Sequence, residues 1–228
     1  MIAGGCDQSG NVLDSLEIID LINPAFKCKW NDIRAARIGS IGGIVLNRPF
    51  ICGGLNQVGK EFNNGIILQS NEEFQLVKHG RHDKSSSIVL NDTRLWVTGG
   101  KDGRNGLNSS KFILFNQSPE DGPKLPFTVS HHCMVQVDSK TIYLIGGKQN
   151  GEESDKTWII DPTNNFEITE GPRMNNARSK HLCATMRINK KIFIVVFGGC
   201  DGHLDGHGDI DIEILDTSLP TNNWKHGK

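Results

Sequence analysis

The sequence predicts an all-β protein built from five small antiparallel sheets. Five times a short apolar stretch runs into a pair of glycines, and the first glycines of successive pairs lie 49, 46, 47 and 52 residues apart. Each pair is followed by a polar loop and a second apolar stretch, which is typical of a repeated strand-loop-strand unit. A period of about 50 residues is typical of a β-propeller, in which the repeated sheets form blades around an axis.

The glycine pairs mark the end of the second strand of each predicted blade. Such pairs are expected where the backbone takes a positive φ, or where another chain segment passes too close for a Cβ atom. A blade edge near a crowded axis is a place of this kind. The pairs are Gly4 and Gly5, Gly53 and Gly54, Gly99 and Gly100, Gly146 and Gly147, and Gly198 and Gly199.

Further apolar stretches supply the other strands of each unit. Innermost strands are predicted over 41–46, 87–90, 133–137 and 182–188, and third strands over 15–20, 65–69, 111–116, 156–161 and 211–216. The fourth strand is marked by Trp30, Phe74, Phe166 and Trp224, and in the third unit only by the weak stretch 122–126. Each complete unit is therefore predicted to have four antiparallel strands.

Over nearly its whole length the chain resembles the propeller of kelch-repeat proteins. The shared pattern is an apolar run, a double glycine, a variable loop, an apolar strand and then a tryptophan, here Trp30 and Trp224. The resemblance implies one kelch-type propeller domain over 1–228, with blades at about 1–33, 34–80, 81–127, 128–175 and 176–228. Because the chain starts at the second strand of a blade, the first blade is predicted to be incomplete. We expect a fragment of a six-bladed ring, the alternative being five units that close imperfectly.

Composition and charge narrow the classes of partner. The net charge of −1 gives no basic field for nucleic acid or for an anionic membrane. No apolar stretch has the length of a transmembrane helix and no signal peptide is visible, so we expect a cytoplasmic protein. If the chain is a fragment of a longer protein, an extracellular location is the alternative. The six cysteines include no CxxC motif, which favours reduced thiols over disulfides or zinc ligands.

The resemblance also implies a binding face. In kelch-like rings one face is built from the loops after the glycine pairs and from the loops that lead into each innermost strand. Arginine and histidine in these loops suit an acidic or polar peptide, since arginine binds carboxylates in a fork. The alternative is that these side chains bond the backbone between blades. The candidate partner-binding residues are Arg34, Arg37, Arg81, His82, His131, Arg178, His181, Asn11, Lys60, Arg104, Asn150 and His203.

These features favour a non-catalytic protein-interaction module, with no catalytic residue, cofactor or metal. The stretch 201–209 is rich in Asp and His but does not have the ligand spacing of an EF-hand. The resemblance implies substrate recognition for a ubiquitin ligase, and alternatively actin binding. A third alternative is a sugar enzyme related to galactose oxidase, but a copper-radical site needs tyrosine ligands and Tyr143 is the only tyrosine.

Overall fold

The protein is described here from a computed structural model. The structure describes residues 2–18, 29–32, 36–45, 48–60, 62, 64–67, 72–75, 84–91, 94–114, 117–200, 211–219 and 223–227. Within these ranges the chain forms 24 strands and no helix. None of the described residues therefore belongs to a helix long and apolar enough to cross a membrane.

The first two blades follow the predicted strand pattern. The first is a three-stranded sheet of β1 (Ile2–Ala3), β2 (Ser15–Ile18) and β3 (Lys29–Asp32). The second is a four-stranded sheet of β4 (Ile41–Val45), β5 (Arg48–Cys52), β6 (Asn64–Ile67) and β7 (Glu72–Gln75).

The third and fourth blades add short strands in their loops. The third blade contains β8 (Ser86–Asn91), β9 (Arg94–Thr98), the loop hairpin β10 (Lys101–Asp102) and β11 (Asn105–Gly106), then β12 (Ser110–Leu114) and β13 (Glu120–Asp121). In the fourth, β14 (Val129–Ser130), β17 (Lys148–Gln149) and β18 (Glu152–Glu153) form a loop sheet. Its main sheet is β15 (Cys133–Asp138), β16 (Thr141–Ile145), β19 (Thr157–Asp161) and β20 (Glu167–Glu170).

The fifth blade is again four-stranded and antiparallel. It consists of β21 (Leu182–Ile188), β22 (Lys191–Phe197), β23 (Ile212–Asp216) and β24 (Lys225–His226). The prediction of an all-β propeller with four-stranded antiparallel blades is confirmed for blades two to five, and three strands of the first blade are described.

The strand register puts both predicted sets of binding loops at one end of the sheets. The start of each innermost strand is paired with the end of the second strand, as in Ile41 with Cys52 and Cys133 with Ile145. The loops leading into the innermost strands therefore lie beside the loops after the glycines. We call this end the loop face, and we call the opposite end, with the turns β8–β9, β15–β16 and β19–β20, the hairpin face.

The blades are arranged side by side around an axis. The innermost strands β4, β8, β15 and β21 contact one another in that order. The apolar core lies between neighbouring sheets: one cluster joins blades two and three around Phe50 and Leu95, and another joins blades three and four around Trp96 and Leu144. Blades two to five therefore bury apolar side chains against one another.

The glycine pairs form the joints between blades. Gly99 has a φ of +56°, and a Cβ atom there would lie 2.4 Å from the carbonyl oxygen of Val129 in the next blade. The N–H of Gly100 donates to that same carbonyl at 2.8 Å. Gly147 donates in the same way to Arg178 at 2.8 Å, and Gly5 to Arg37 at 2.9 Å. All ten glycines of the five pairs have positive φ.

Two expectations from the sequence need correction. The fourth strand of the third blade is Glu120–Asp121, which comes before the predicted stretch 122–126. The cysteines are not all reduced, since Cys133 and Cys183 form a disulfide with a Cα–Cα distance of 6.0 Å. These residues are distant in sequence, but they lie on the adjacent innermost strands β15 and β21. Cys6, Cys52 and Cys200 are free.

Candidate functional site on the loop face

Two of the predicted binding arginines are buried and hold the fold together. Arg37 is fully buried, and its Nη1 donates to the carbonyl oxygens of Gly53 at 3.1 Å and Asn64 at 3.4 Å. Arg178 is buried as well, and its Nη2 lies 2.6 Å from Asp211 Oδ2 and 2.7 Å from Glu213 Oε1. These guanidinium groups bind this chain itself, so we leave both residues out of the proposed binding surface.

The predicted residue His181 and the neighbouring blade's His132 are also internal. A Cβ atom on Gly146 would lie 2.8 Å from His181 Cε1, and one on Gly99 would lie 3.2 Å from His132 Cε1. Each ring thus packs against the glycine pair of the preceding blade. Burial lowers the pKa of His132 to about 3 and that of His181 to about 4, so both rings are neutral at pH 7.

A different set of residues surrounds the axis on the loop face. Lys84, His131 and Lys180 occupy the same position in successive blades, and all three have positive φ, at 60°, 54° and 59°. The N–H of His131 donates to the carbonyl oxygen of Lys84 at 2.8 Å, and the N–H of Lys180 donates to that of His131 at 3.0 Å. The backbones of three consecutive blades are therefore linked at this level.

Two further lysines, Lys101 and Lys148, follow directly after glycine pairs, and their charges act on His131. Burial is the main cause that lowers the pKa of half-buried His131 to about 4, and the charges of all four lysines lower it further. Lys148 also pairs with a carboxylate, since its Nζ lies 2.7 Å from Glu153 Oε1. We call Lys84, Lys101, His131, Lys148 and Lys180 the axial collar.

The remaining described candidates lie in the loops that follow the glycine pairs. Asn11 donates through its backbone N–H and its Nδ2 to Asp7, both at 2.8 Å, and so shapes its own loop. Asn150 Oδ1 accepts from the backbone and the hydroxyl of Thr128, each at 3.2 Å. Lys60 and Arg104 are exposed at the outer part of the loop face.

Four predicted residues lie outside the described residues: Arg34, Arg81, His82 and His203. The acidic and histidine-rich stretch 201–209 is outside them too. Among the residues that are described, no group of three or more His, Cys, Asp or Glu side chains is placed to hold a metal ion.

Of the axial collar, the list of candidates drawn from the sequence contains only His131. A signal for the others is present in the chain: Lys84, His131 and Lys180 are spaced by about one repeat, and Lys101 and Lys148 each come directly after a glycine pair. Alignment of the repeats by their glycines would have placed these side chains around one axis.

The architecture is similar to that of a solved protein, YjhT. The TM-score is 0.71, and the similarity covers 99% of this chain and 79% of that chain at 8% sequence identity. At this level of identity the similarity shows the fold alone. The sequence matches no family model and no curated protein. The β-propeller is thus supported by a solved structure, whereas the kelch resemblance rests on the repeats within this chain.

The prediction that the chain is not an enzyme is wrong. It assumed that a kelch-like propeller without a tyrosine-ligated copper site is an interaction module. The fold shared with YjhT removes that basis, because a propeller of this kind does not settle whether a chain catalyses a reaction. The exclusion of catalysis is therefore withdrawn.

Proposed function

We propose that this protein is a binding propeller whose axial collar recognises an acidic segment of a partner protein on the loop face. The observation that supports this proposal is that backbone hydrogen bonds link Lys84, His131 and Lys180 of successive blades. Besides burial, the charges of these two lysines and of Lys101 and Lys148 all lower the pKa of His131. The chain as a whole has a net charge of −1, so this group of lysines does not simply reflect an overall basic composition.

The collar is suited to an acidic ligand for a physical reason. His131 is neutral at pH 7 because its pKa is lowered to about 4, so the positive charge at the axis comes from the lysines. Like charges held close together repel each other, and a bound carboxylate reduces that repulsion. The backbone links between Lys84, His131 and Lys180 fix the positions from which these side chains extend.

The test is a binding titration with a labelled Glu-Ser repeat peptide, compared with a Gln-Ser peptide of equal length. Binding of the Glu-Ser peptide should weaken at least about tenfold in the variant Lys84→Gln/Lys180→Gln, since charged contacts at an interface contribute energies of this order. The matched control is Lys140→Gln/Lys190→Gln, which removes the same charge from exposed turns of the hairpin face. This control should bind like the unmodified chain.

The imidazole of His131 provides a second readout by NMR. A bound acidic peptide places negative charge near the ring, which should raise the pKa of His131 from about 4 toward its ordinary value of 6.5. Equal binding of both peptides, or equal losses in the collar variant and its control, would refute the proposal.

Two narrower functions implied by the kelch resemblance remain predictions: substrate recognition for a ubiquitin ligase, and actin binding. Either partner would be expected to use the collar if its contact segment is acidic. Cosedimentation with actin filaments, with the collar variant as the comparison, tests the second function. An affinity purification that recovers a ubiquitin ligase complex together with a substrate tests the function in substrate recognition.

A further inference from the structure

The hairpin face carries a cleft that the proposed function does not use. It lies between blades three and four and has a volume of about 260 Å³. This is close to the lower end of the range for small-molecule sites, about 300–1,000 Å³. The cleft is lined by Leu90, Asn91, Arg94, Gln136, Ser139, Pro162, Thr163 and Phe166.

Arg94 is the charged residue in this lining, and its hydrogen-bonding capacity is largely unused. Its Nε is buried without a hydrogen-bond partner. Its Nη2 lies 3.8 Å from Glu120 Oε2, which is too far for a hydrogen bond. The buried arginines Arg37 and Arg178 instead donate to carbonyl or carboxylate oxygens.

The guanidinium of Arg94 is also held in a fixed place. Its Cζ lies 3.7 Å above the centre of the Phe112 ring, an arrangement that favours a defined orientation of the planar group. About a third of the side chain remains exposed, at 34%. A planar cation with unused donors at the side of a cleft matches the geometry of a carboxylate.

Phe166 supplies apolar surface to the cleft. Phe166 and the preceding Asn165 both have positive φ, at 55° and 49°, which is a costly conformation for residues other than glycine. This backbone directs the Phe166 ring against Trp96 and Phe112, with ring centroids 4.8 Å and 5.4 Å apart. Leu90 and Pro162 extend the apolar surface.

We propose that this cleft is a second binding site, for a small organic carboxylate whose apolar part packs near Phe166 while its carboxylate is bound by Arg94. Ser139, Thr163 and Gln136 add polar groups to the lining, although the Thr163 hydroxyl already donates to Asp161 and the Gln136 amide to the carbonyl oxygen of Asp138. Glu120 is 58% exposed and competes weakly for the same guanidinium.

The experiment is an NMR titration of the intact protein with benzoate, with benzamide as the neutral probe of nearly equal shape. Benzoate should give a saturable shift of the Arg94 Nε–Hε signal and of nearby amides such as Thr163 at concentrations up to about 10 mM, where weak specific ligands saturate. Benzamide should bind at least about tenfold more weakly, because it lacks the charge that Arg94 binds.

Variants of Arg94 and of Glu120 test the assigned role of each residue. Arg94→Gln should abolish saturable binding of benzoate, whereas Glu120→Gln should strengthen it by removing the competing carboxylate. Arg104→Gln, on the loop face, should leave binding unchanged. The proposal is overturned if benzoate gives no saturable shift, if benzamide binds equally well, or if the shifts lie on the loop face. If Arg94→Gln does not fold, the comparison of benzoate with benzamide on the unmodified protein still decides whether the cleft binds a carboxylate.

Discussion

Arginine side chains have different roles in this chain, depending on which groups their N–H donors contact. The guanidinium of Arg178 contacts the carboxylates of Asp211 and Glu213 and the carbonyl oxygens of Gly198 and Asp211. Arg94 stacks on Phe112 and leaves its Nε unpaired. A sequence shows both only as arginines, because their burial and their partners depend on strands that are distant in sequence and meet only in the folded blade.

Replacement of Arg178 by alanine should strongly destabilise the fold. Glu213 is fully buried, and without the guanidinium its carboxylate would lose its charged partner in the interior. Breaking a buried ion pair in this way costs about 3–5 kcal/mol. Chemical denaturation measures the free energy of unfolding.

The matched control for Arg178 is Arg173→Ala, five residues earlier in the chain. Arg173 is 53% exposed and pairs with Glu170 at 2.9 Å, so its loss should cost no more than about 1 kcal/mol. Similar losses for the two variants would contradict a structural role for Arg178.

At the level of strands, the disulfide Cys133–Cys183 links two neighbouring blades covalently, in addition to their packing. It joins the innermost strands β15 and β21 across the boundary of blades four and five, with the two cysteines 50 residues apart. His131 and Lys180 lie just before these strands, so the bond also holds together two lead-in segments of the axial collar.

The double variant Cys133→Ser/Cys183→Ser should lower the free energy of unfolding by about 3–4 kcal/mol, because the open chain gains entropy when unfolded. Reduction of the unmodified protein should have a similar effect. The exposed free cysteine Cys200 gives the control, and Cys200→Ser should change stability little. Peptide mapping without reductant should recover residues 133 and 183 in one linked fragment, and two separate fragments would contradict the bond.

The elements were largely predictable from the sequence, and the exceptions have physical reasons. Apolar runs that end at a glycine pair give the second strand of each blade, as in β9 and β16. The fourth strand of the third blade was misplaced because Glu120–Asp121 contains no apolar residue to mark it. The disulfide could not be found from spacing, because the two strands become neighbours only when the blades are arranged around the axis.

At the scale of the whole molecule, stability depends on the contacts between blades, and two of these contacts contain neutral histidines. His132 and His181 pack against the glycine pairs of the third and fourth blades. Burial lowers the pKa of each below the ordinary value of 6.5, to about 3 and about 4. Protonation of either ring therefore favours the unfolded chain.

Because the pKa values of both histidines are lowered in the folded protein, stability should decrease as the pH falls. Above pH 6.5 both rings are neutral in the folded and unfolded states, and their contribution is fully present. As the pH falls from 6.5 toward about 4, the unfolded chain binds protons that the folded one does not. Stability should then fall by up to about 1.4 kcal/mol per pH unit for each histidine.

Denaturant titrations at several pH values measure this slope. His181→Gln should reduce the histidine part of the slope by about one third, because His131 and His132 also have lowered pKa values and keep contributing. An unchanged slope would show that other groups cause the acid sensitivity.

The candidate site was less predictable than the fold. The sequence correctly indicated which loops share a face, because antiparallel pairing fixes that, and it identified His131. It could not show that Arg37, Arg178 and His181 point into the protein, because their partners come from elsewhere in the fold. The cleft beside Arg94 depends on two blades meeting at a particular distance, and no single repeat encodes that distance.

The joints between blades have a consequence for how such a protein can diversify. The N–H groups of Gly5, Gly100 and Gly147 all bond to main-chain oxygens, two on arginine residues and one on valine. Every amino acid has a main-chain carbonyl oxygen, so the hydrogen bond between two blades is retained as long as the glycine pair of one blade is kept. Mutation can therefore rewrite the loops, and gene duplication can multiply a unit, while each new copy still docks on its neighbour.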